Sequence, residues 1–139
     1  MVKTKIQPFI KVECYNKLSE FLKSDLNSIC GLKPSKSILI ELGLKLLFEK
    51  METQPLDTIS VKLNESTLNT ETKRIQISIN ETTYNKLIDE LNNDYNRING
   101  KRIKKGGFVE IGLKLLFNAM ETQSLENIYL KYGGLSNGS

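Results

Sequence analysis

The side chains that could do chemistry in this chain are mainly cations, amides and hydroxyls; acid–base catalysts are scarce. There is no His among the 139 residues. An imidazole base, a Ser-His-Asp or Cys-His pair and a His-containing zinc site are therefore excluded. The two cysteines, Cys14 and Cys30, are too few for a four-thiolate site and are not spaced C-x-x-C. They read as incidental small residues rather than a redox pair. Glu41 and Glu110 recur in matching contexts, as do Glu52 and Glu121. They lie on leucine-rich segments with no nucleophile and base beside them, so they read as surface charges. The expectation is a protein that is not an enzyme and needs no cofactor. What the chain has in excess is positive charge: 20 Lys+Arg against 16 Asp+Glu, a net charge of +4. So small a surplus favours an acidic partner only where the cations are gathered.

The background is that of a globular protein, with 39% apolar and 26% charged residues. The longest apolar stretch, Ile38–Phe48, is interrupted by Glu41 and Lys45. It falls short of the roughly 20 residues of a membrane span, so no membrane partner is expected. The basic start Met1–Lys5 leads into no apolar run. That predicts no signal peptide and a cytoplasmic location.

An internal duplication organises the chain. Ile40-Glu41-Leu42-Gly43-Leu44-Lys45-Leu46-Leu47-Phe48 returns as Val109-Glu110-Ile111-Gly112-Leu113-Lys114-Leu115-Leu116-Phe117. Tyr15-Asn16-Lys17-Leu18 returns as Tyr84-Asn85-Lys86-Leu87, and Met51-Glu52-Thr53-Gln54 as Met120-Glu121-Thr122-Gln123. All share an ungapped offset of 69 residues, with 26 identities over the 54 positions from Ile6 to Ile59. Ordinary usage would give roughly 3–4 by chance. Two copies are too few for a solenoid and point to a fused dimer folding about a pseudo-twofold axis.

Each copy has the same order of patterns. Lys5–Lys11 and Arg74–Asn80 alternate with period two, most clearly where Ile75, Ile77 and Ile79 oppose Arg74, Gln76 and Ser78. That predicts a half-buried strand. A helical stripe follows: Tyr15, Leu18, Leu22, Leu26 and Ile29 in copy one, and Tyr84, Leu87, Ile88, Leu91, Tyr95 and Ile98 in copy two. Gly31 and Gly100 are read as its terminators. After a basic loop, a second helix is predicted from about Lys36 to Glu52 and from about Gly106 to Glu121. It is apolar on several sides and so central. Gly43 and Gly112 interrupt it, which suggests a close crossing of the two copies. The tails Ile59, Val61, Leu63 and Ile128, Leu130, Tyr132 alternate and are read as short strands. The organisation is residues 1–63 as first repeat, 64–73 as linker, 74–132 as second repeat and 133–139 as a flexible tail. The two repeats share one core.

A lone short strand has no partner within its copy, whereas two can pair antiparallel beneath four helices. The strand-to-helix entry Arg74-Ile75-Gln76-Ile77-Ser78-Ile79-Asn80-Glu81 with Tyr84 and Leu87 resembles that of the CopG-type branch of the Arc/MetJ superfamily. Gly31-Leu32-Lys33-Pro34-Ser35-Lys36-Ser37 resembles the inter-helix loop of the same family. The resemblance covers about 50 residues of each copy. It implies a mainly α fold with a short antiparallel β-ribbon: a tandem ribbon-helix-helix in a single-chain pseudo-dimer that binds double-stranded DNA in its major groove.

The resemblance assigns base contacts to Lys5, Gln7, Phe9, Arg74, Gln76 and Ser78. Their chemistry suits base edges: Arg or Lys for guanine O6/N7, Gln for adenine N6/N7, Ser for either. Phe9 departs from the family's polar pattern and could meet a thymine methyl. Alternatively, Phe9 could mark a shift or bulge at Pro8, whose nitrogen should face a free edge or a bulge. Phosphate contacts fall to the starts of the second helices, where free N–H groups favour an anion. These are Lys33, Ser35, Lys36 and Ser37, and Lys101, Arg102, Lys104, Lys105, Gly106 and Gly107. Lys3 and Lys73 flank the ribbon. Tandem chains of this kind resemble relaxosome accessory proteins of conjugative plasmids. That implies origin-of-transfer recognition, a relaxase or other DNA-processing partner, and self-association on adjacent DNA sites. Single-copy relatives imply the alternative of a transcriptional repressor, autoregulator or plasmid copy-control protein. A reading of another class is a protein-interaction module that binds a partner strand by β-augmentation.

Overall fold

The alternating runs of the two copies are extended and lie antiparallel to each other. The computed structural model describes residues 3–24, 28–29, 31, 33–62, 71–98 and 100–132. Strands β1 (Lys3–Ile6) and β2 (Phe9–Lys11) come from the first copy, and β3 (Thr72–Arg74) and β4 (Ile77–Asn80) from the second. β1 pairs with β4, from Lys3 opposite Asn80 to Ile6 opposite Ile77. β2 pairs with β3, from Phe9 opposite Arg74 to Lys11 opposite Thr72. The numbers of every facing pair add to 83, so one register runs through both ladders. The break between them is chemical. Pro8 accepts a hydrogen bond from the Ile75 N–H at 3.0 Å but has no N–H to return. The expectation of a free edge or bulge at Pro8 is thus corrected. Its nitrogen faces the partner strand, one ladder bond is forfeited, and no residue is inserted.

Alternation then sorts the side chains. Ile6, Pro8, Ile10, Ile75, Ile77 and Ile79 are buried, while Lys5, Gln7, Phe9, Arg74 and Gln76 are exposed. The inner face lies on two central helices, α2 (Lys36–Met51) and α5 (Lys105–Ala119). These are buried on several sides, through Leu39, Ile40, Leu42, Leu44 and Leu47, and through Phe108, Val109, Leu113 and Leu116. They cross at their glycines: a Cβ on Gly43 would stand 2.7 Å from the Gly112 carbonyl carbon, and a Cβ on Gly112 would stand 2.7 Å from that of Gly43. Helices α1 (Val12–Lys23) and α4 (Glu81–Leu91) follow the strands directly and anchor through the fully buried Leu18 and Leu87. The result is a mainly helical fold with short antiparallel strand pairs.

Several expectations need correction. The tails are helices, α3 (Leu56–Lys62) and α6 (Leu125–Tyr132). Among the described side chains, Leu56 and Ile59 are buried in α3 and Leu125 and Ile128 in α6, a spacing of three that only a helix places on one side. The Ser124 hydroxyl accepts from the Asn127 N–H at 3.1 Å and caps α6. The first helices are shorter than their stripes. α4 stops at Leu91, and Tyr95 is 93% exposed. Asn93 accepts from the Tyr95 N–H through its side chain, and Asn96 donates to the Glu90 carbonyl. This local bonding competes with helix continuation. Gly31 and Gly100 do have positive φ, of 81° and 77°. Both lie in turns beyond the helix ends, and Gly100 closes a hairpin of β5 (Arg97–Ile98) and β6 (Lys101–Arg102). Thr72 and Lys73, assigned to the linker, belong to β3. Leu26, Cys30, Leu63, residues 64–70 and residues 133–139 lie outside the described residues.

In an open helix, Gly→Ala gains up to about 1 kcal/mol. At this crossing, Gly43→Ala should reverse the sign and cost about 1–3 kcal/mol, because the new methyl meets backbone. Urea denaturation of the variant measures it.

Candidate nucleic-acid interface

Alternate residues of each ribbon strand turn their N–H groups away from the partner strand and need other acceptors. The central helices supply them for Lys11, Ser78 and Asn80. The Ser78 N–H donates to the Ser37 hydroxyl at 3.0 Å. One turn further along α2, Glu41 accepts the Asn80 N–H at 3.2 Å and the Thr83 hydroxyl at 2.8 Å. In the matching place, Glu110 of α5 accepts the Lys11 N–H at 2.7 Å. Neither Lys11 nor Asn80, the residues capping α1 and α4, makes a side-chain cap bond. A carboxylate beside those helix N-termini is favoured by their dipoles. Glu41 and Glu110 are thus no surface charges: each is 8% exposed and holds the strand-to-helix junction of the other copy. Lys45 stands 4.0 Å from Glu41 and partly balances its charge.

With its edges held in this way, the ribbon presents one face to solvent. Lys5 faces Ser78 and Phe9 faces Arg74. The same register places Gln7 opposite Gln76 at the centre. All six side chains assigned to base contact therefore share one face. Ser78 is half-buried and the other five are exposed. Lys11, Thr72 and Asn80 lie on that face too. Sequence reasoning left them out of the site, although the period-two count that selected Lys5 and Arg74 also reaches them.

The residues assigned to phosphate divide into groups. Lys3, Lys33, Ser35, Lys101, Arg102 and Lys104 are exposed, and Lys36 and Lys105 half-buried. The Ser35 hydroxyl caps α2 by accepting the Ile38 N–H at 3.2 Å. Ser37 turns its hydroxyl to the ribbon. Gly106 is buried, and a Cβ there would lie 1.7 Å from the Phe9 carbonyl oxygen. The close approach it allows is thus to the ribbon, while at Gly107 a Cβ would meet the Ile103 side chain. Lys73 pairs opposite Ile10, on the inner side of the ribbon end. Its ammonium stands 4.1 Å from the Tyr15 ring centre, with Lys36 at 5.7 Å. The Tyr15 phenol is lowered below its ordinary value by its hydrogen bond with Ser19 and by the charges of Lys73 and Lys36.

Copy two carries Lys101, Arg102, Lys104 and Lys105 just before and at the start of α5. Its hairpin is braced by Arg97, which donates to the Asp94 and Gly100 carbonyls. Arg102 pairs with Asp94, and this guanidinium holds the Asp94 carboxyl below its usual range. Between the outer ribbon residues Gln7 and Phe9 and the start of α5 lies a cavity of about 650 Å³, lined also by Lys104, Lys105 and Gly107. A second cavity, of about 430 Å³, lies at the C-terminal turns of α2 and α5, where the Tyr132 hydroxyl donates to Glu49 at 2.7 Å. No group of three or more Cys, Asp or Glu side chains placed to hold a metal is found among the described residues. Nor is any helix among them long and apolar enough to cross a membrane.

No family model, curated protein or solved structure matches the chain.

Glu41→Ala should destabilise the protein by about 2–3 kcal/mol, since it removes a charged acceptor from two donors. Amide exchange at Asn80 should accelerate more than at Lys11, which keeps Glu110. Equal acceleration at both would show that Glu41 does not act specifically at the Asn80 junction.

Proposed function

We propose that this chain binds double-stranded DNA sequence-specifically, by laying the ribbon in the major groove. The observation that carries the reading is the outward face of one continuous register: Lys5 with Ser78, Gln7 with Gln76, and Phe9 with Arg74. Strands about 4.8 Å apart make a ribbon that a groove about 12 Å wide admits. Side chains at alternate positions then reach base edges. The cations of the α2 and α5 starts flank it, where duplex backbones would run on either side.

The arrangement we infer is a tandem ribbon-helix-helix, with each repeat supplying one strand and two main helices to a single-chain pseudo-dimer. Its support is the shared 69-residue offset of the two ladders. Thr4 opposite Ile79 becomes Lys73 opposite Ile10, and Lys5 opposite Ser78 becomes Arg74 opposite Phe9. The β-augmentation alternative is disfavoured by the ribbon edges. The N–H groups of Lys11, Ser78 and Asn80 already have acceptors within the chain. For biological setting, the resemblance to relaxosome accessory proteins favours recognition at a plasmid transfer origin with a relaxase as partner. Autoregulatory repression is the alternative, and the genes beside the coding sequence would discriminate between them.

The two ends of the face differ chemically, so the bound site should be asymmetric. Selection of duplexes from a random pool, followed by footprinting, should give two unlike half-sites. Equal affinity for selected and scrambled duplexes at fixed salt would defeat the reading. Gln76→Ala should cost about 1–3 kcal/mol of discrimination at one base position. Lys104→Ala should weaken all duplexes alike and lessen the salt slope by about 0.9.

A further inference from the structure

We propose that Phe9 makes one half of the bound site thymine-specific by contacting the C5-methyl group of a thymine in the major groove. This rests on the DNA-binding reading and goes beyond it in naming the base and the group recognised. Phe9 is 58% exposed, on a face otherwise made of Lys, Arg, Gln, Asn and hydroxyl side chains. Nothing in the fold lets it turn inward. The flanking Pro8 and Ile10 are buried, and a one-residue slip would expose both. The backbone is fixed from the other side by Gly106, whose missing Cβ is what lets α5 abut the Phe9 carbonyl. A large apolar ring is therefore held in water at a defined place, beside a cavity of about 650 Å³.

Among the groups on major-groove base edges, the thymine methyl is the apolar one, and Phe is a side chain suited to it. The matching position in the other copy is Ser78, which has no apolar surface of that size to offer. The methyl contact thus belongs to one half-site only. Its neighbour is set as well. Phe9 faces Arg74, and residues so paired stand about 5 Å apart at Cβ. With about 3.4 Å per base step, the thymine lies within one or two base pairs of a guanine bound by Arg74.

The test replaces each dT of the selected duplex by dU, one at a time, and measures affinity at fixed salt for the unaltered protein and for Phe9→Ala. Removing one methyl from the contact should weaken the unaltered protein roughly fourfold. The loss should occur at one thymine near a guanine in a single half-site. Phe9→Ala and Phe9→Ser should bind dT and dU there equally while still preferring the site over scrambled duplex. The dU scan needs no variant, so a folding defect cannot obscure it. Tolerance of dU at every position would overturn the proposal, as would a dU penalty that persists in Phe9→Ala. If no duplex is preferred over scrambled sequence, the DNA-binding reading itself falls, an outcome distinct from those two.

Discussion

A single short strand cannot satisfy its own backbone, and everything else in this protein follows from that constraint. β1 and β2 lie in one copy of the duplication and their partners in the other. Pairing satisfies half of the strand N–H groups and leaves the alternate ones pointing outward. The central helices accept several of these through Ser37, Glu41 and Glu110. For the helices to reach the ribbon they must lie close to each other, which Gly43 and Gly112 permit. The ribbon, its carboxylate clamps and the glycine crossing are therefore one mechanical unit.

That unit explains why the outer face can be chemically free. Packing is supplied by Ile6, Pro8, Ile10, Ile75, Ile77 and Ile79 on the inner side, and the helices accept the edge N–H groups of Lys11, Ser78 and Asn80. Outward residues carry neither duty. The two copies keep Gln7 and Gln76 yet differ at Lys5 and Arg74, and at Phe9 and Ser78. The structural roles are matched more closely: Glu41 with Glu110 and Gly43 with Gly112. The match fails where the outer face changes. Ser37, which receives the Ser78 N–H, corresponds to Gly106, which makes room for the Phe9 strand.

Much of this was legible from residue spacing. Period two placed the three isoleucines of copy two inward, and the 69-residue offset predicted that the strands pair between copies. The glycines within leucine-rich runs announced a close crossing. The errors have local causes. The tails alternate over three apolar residues, too few to separate period two from a spacing of three until Leu56 and Leu125 are included. Tyr95 fits the helical stripe in number, but the Asn93 and Asn96 side chains end the helix before it. Glu41 and Glu110 looked like solvated charges because a single sequence does not show that two orphaned N–H groups wait opposite them.

The sequence by itself determined the doubling, the mainly helical composition with a short paired strand, and which ribbon residues face out. These depend on periodicity and repetition, which are properties of the chain in one dimension. The tertiary structure decided that both ladders share one register through Pro8, that Phe9 is fixed outward without a bulge, and that two glutamates are buried clamps. It also set the exposed Lys73 over the Tyr15 ring and Gly106 against the ribbon. The physical reason is that these roles depend on which group lies across a long-range contact, such as Lys11 with Glu110 or Asn80 with Glu41. Neither local propensity nor spacing carries that information.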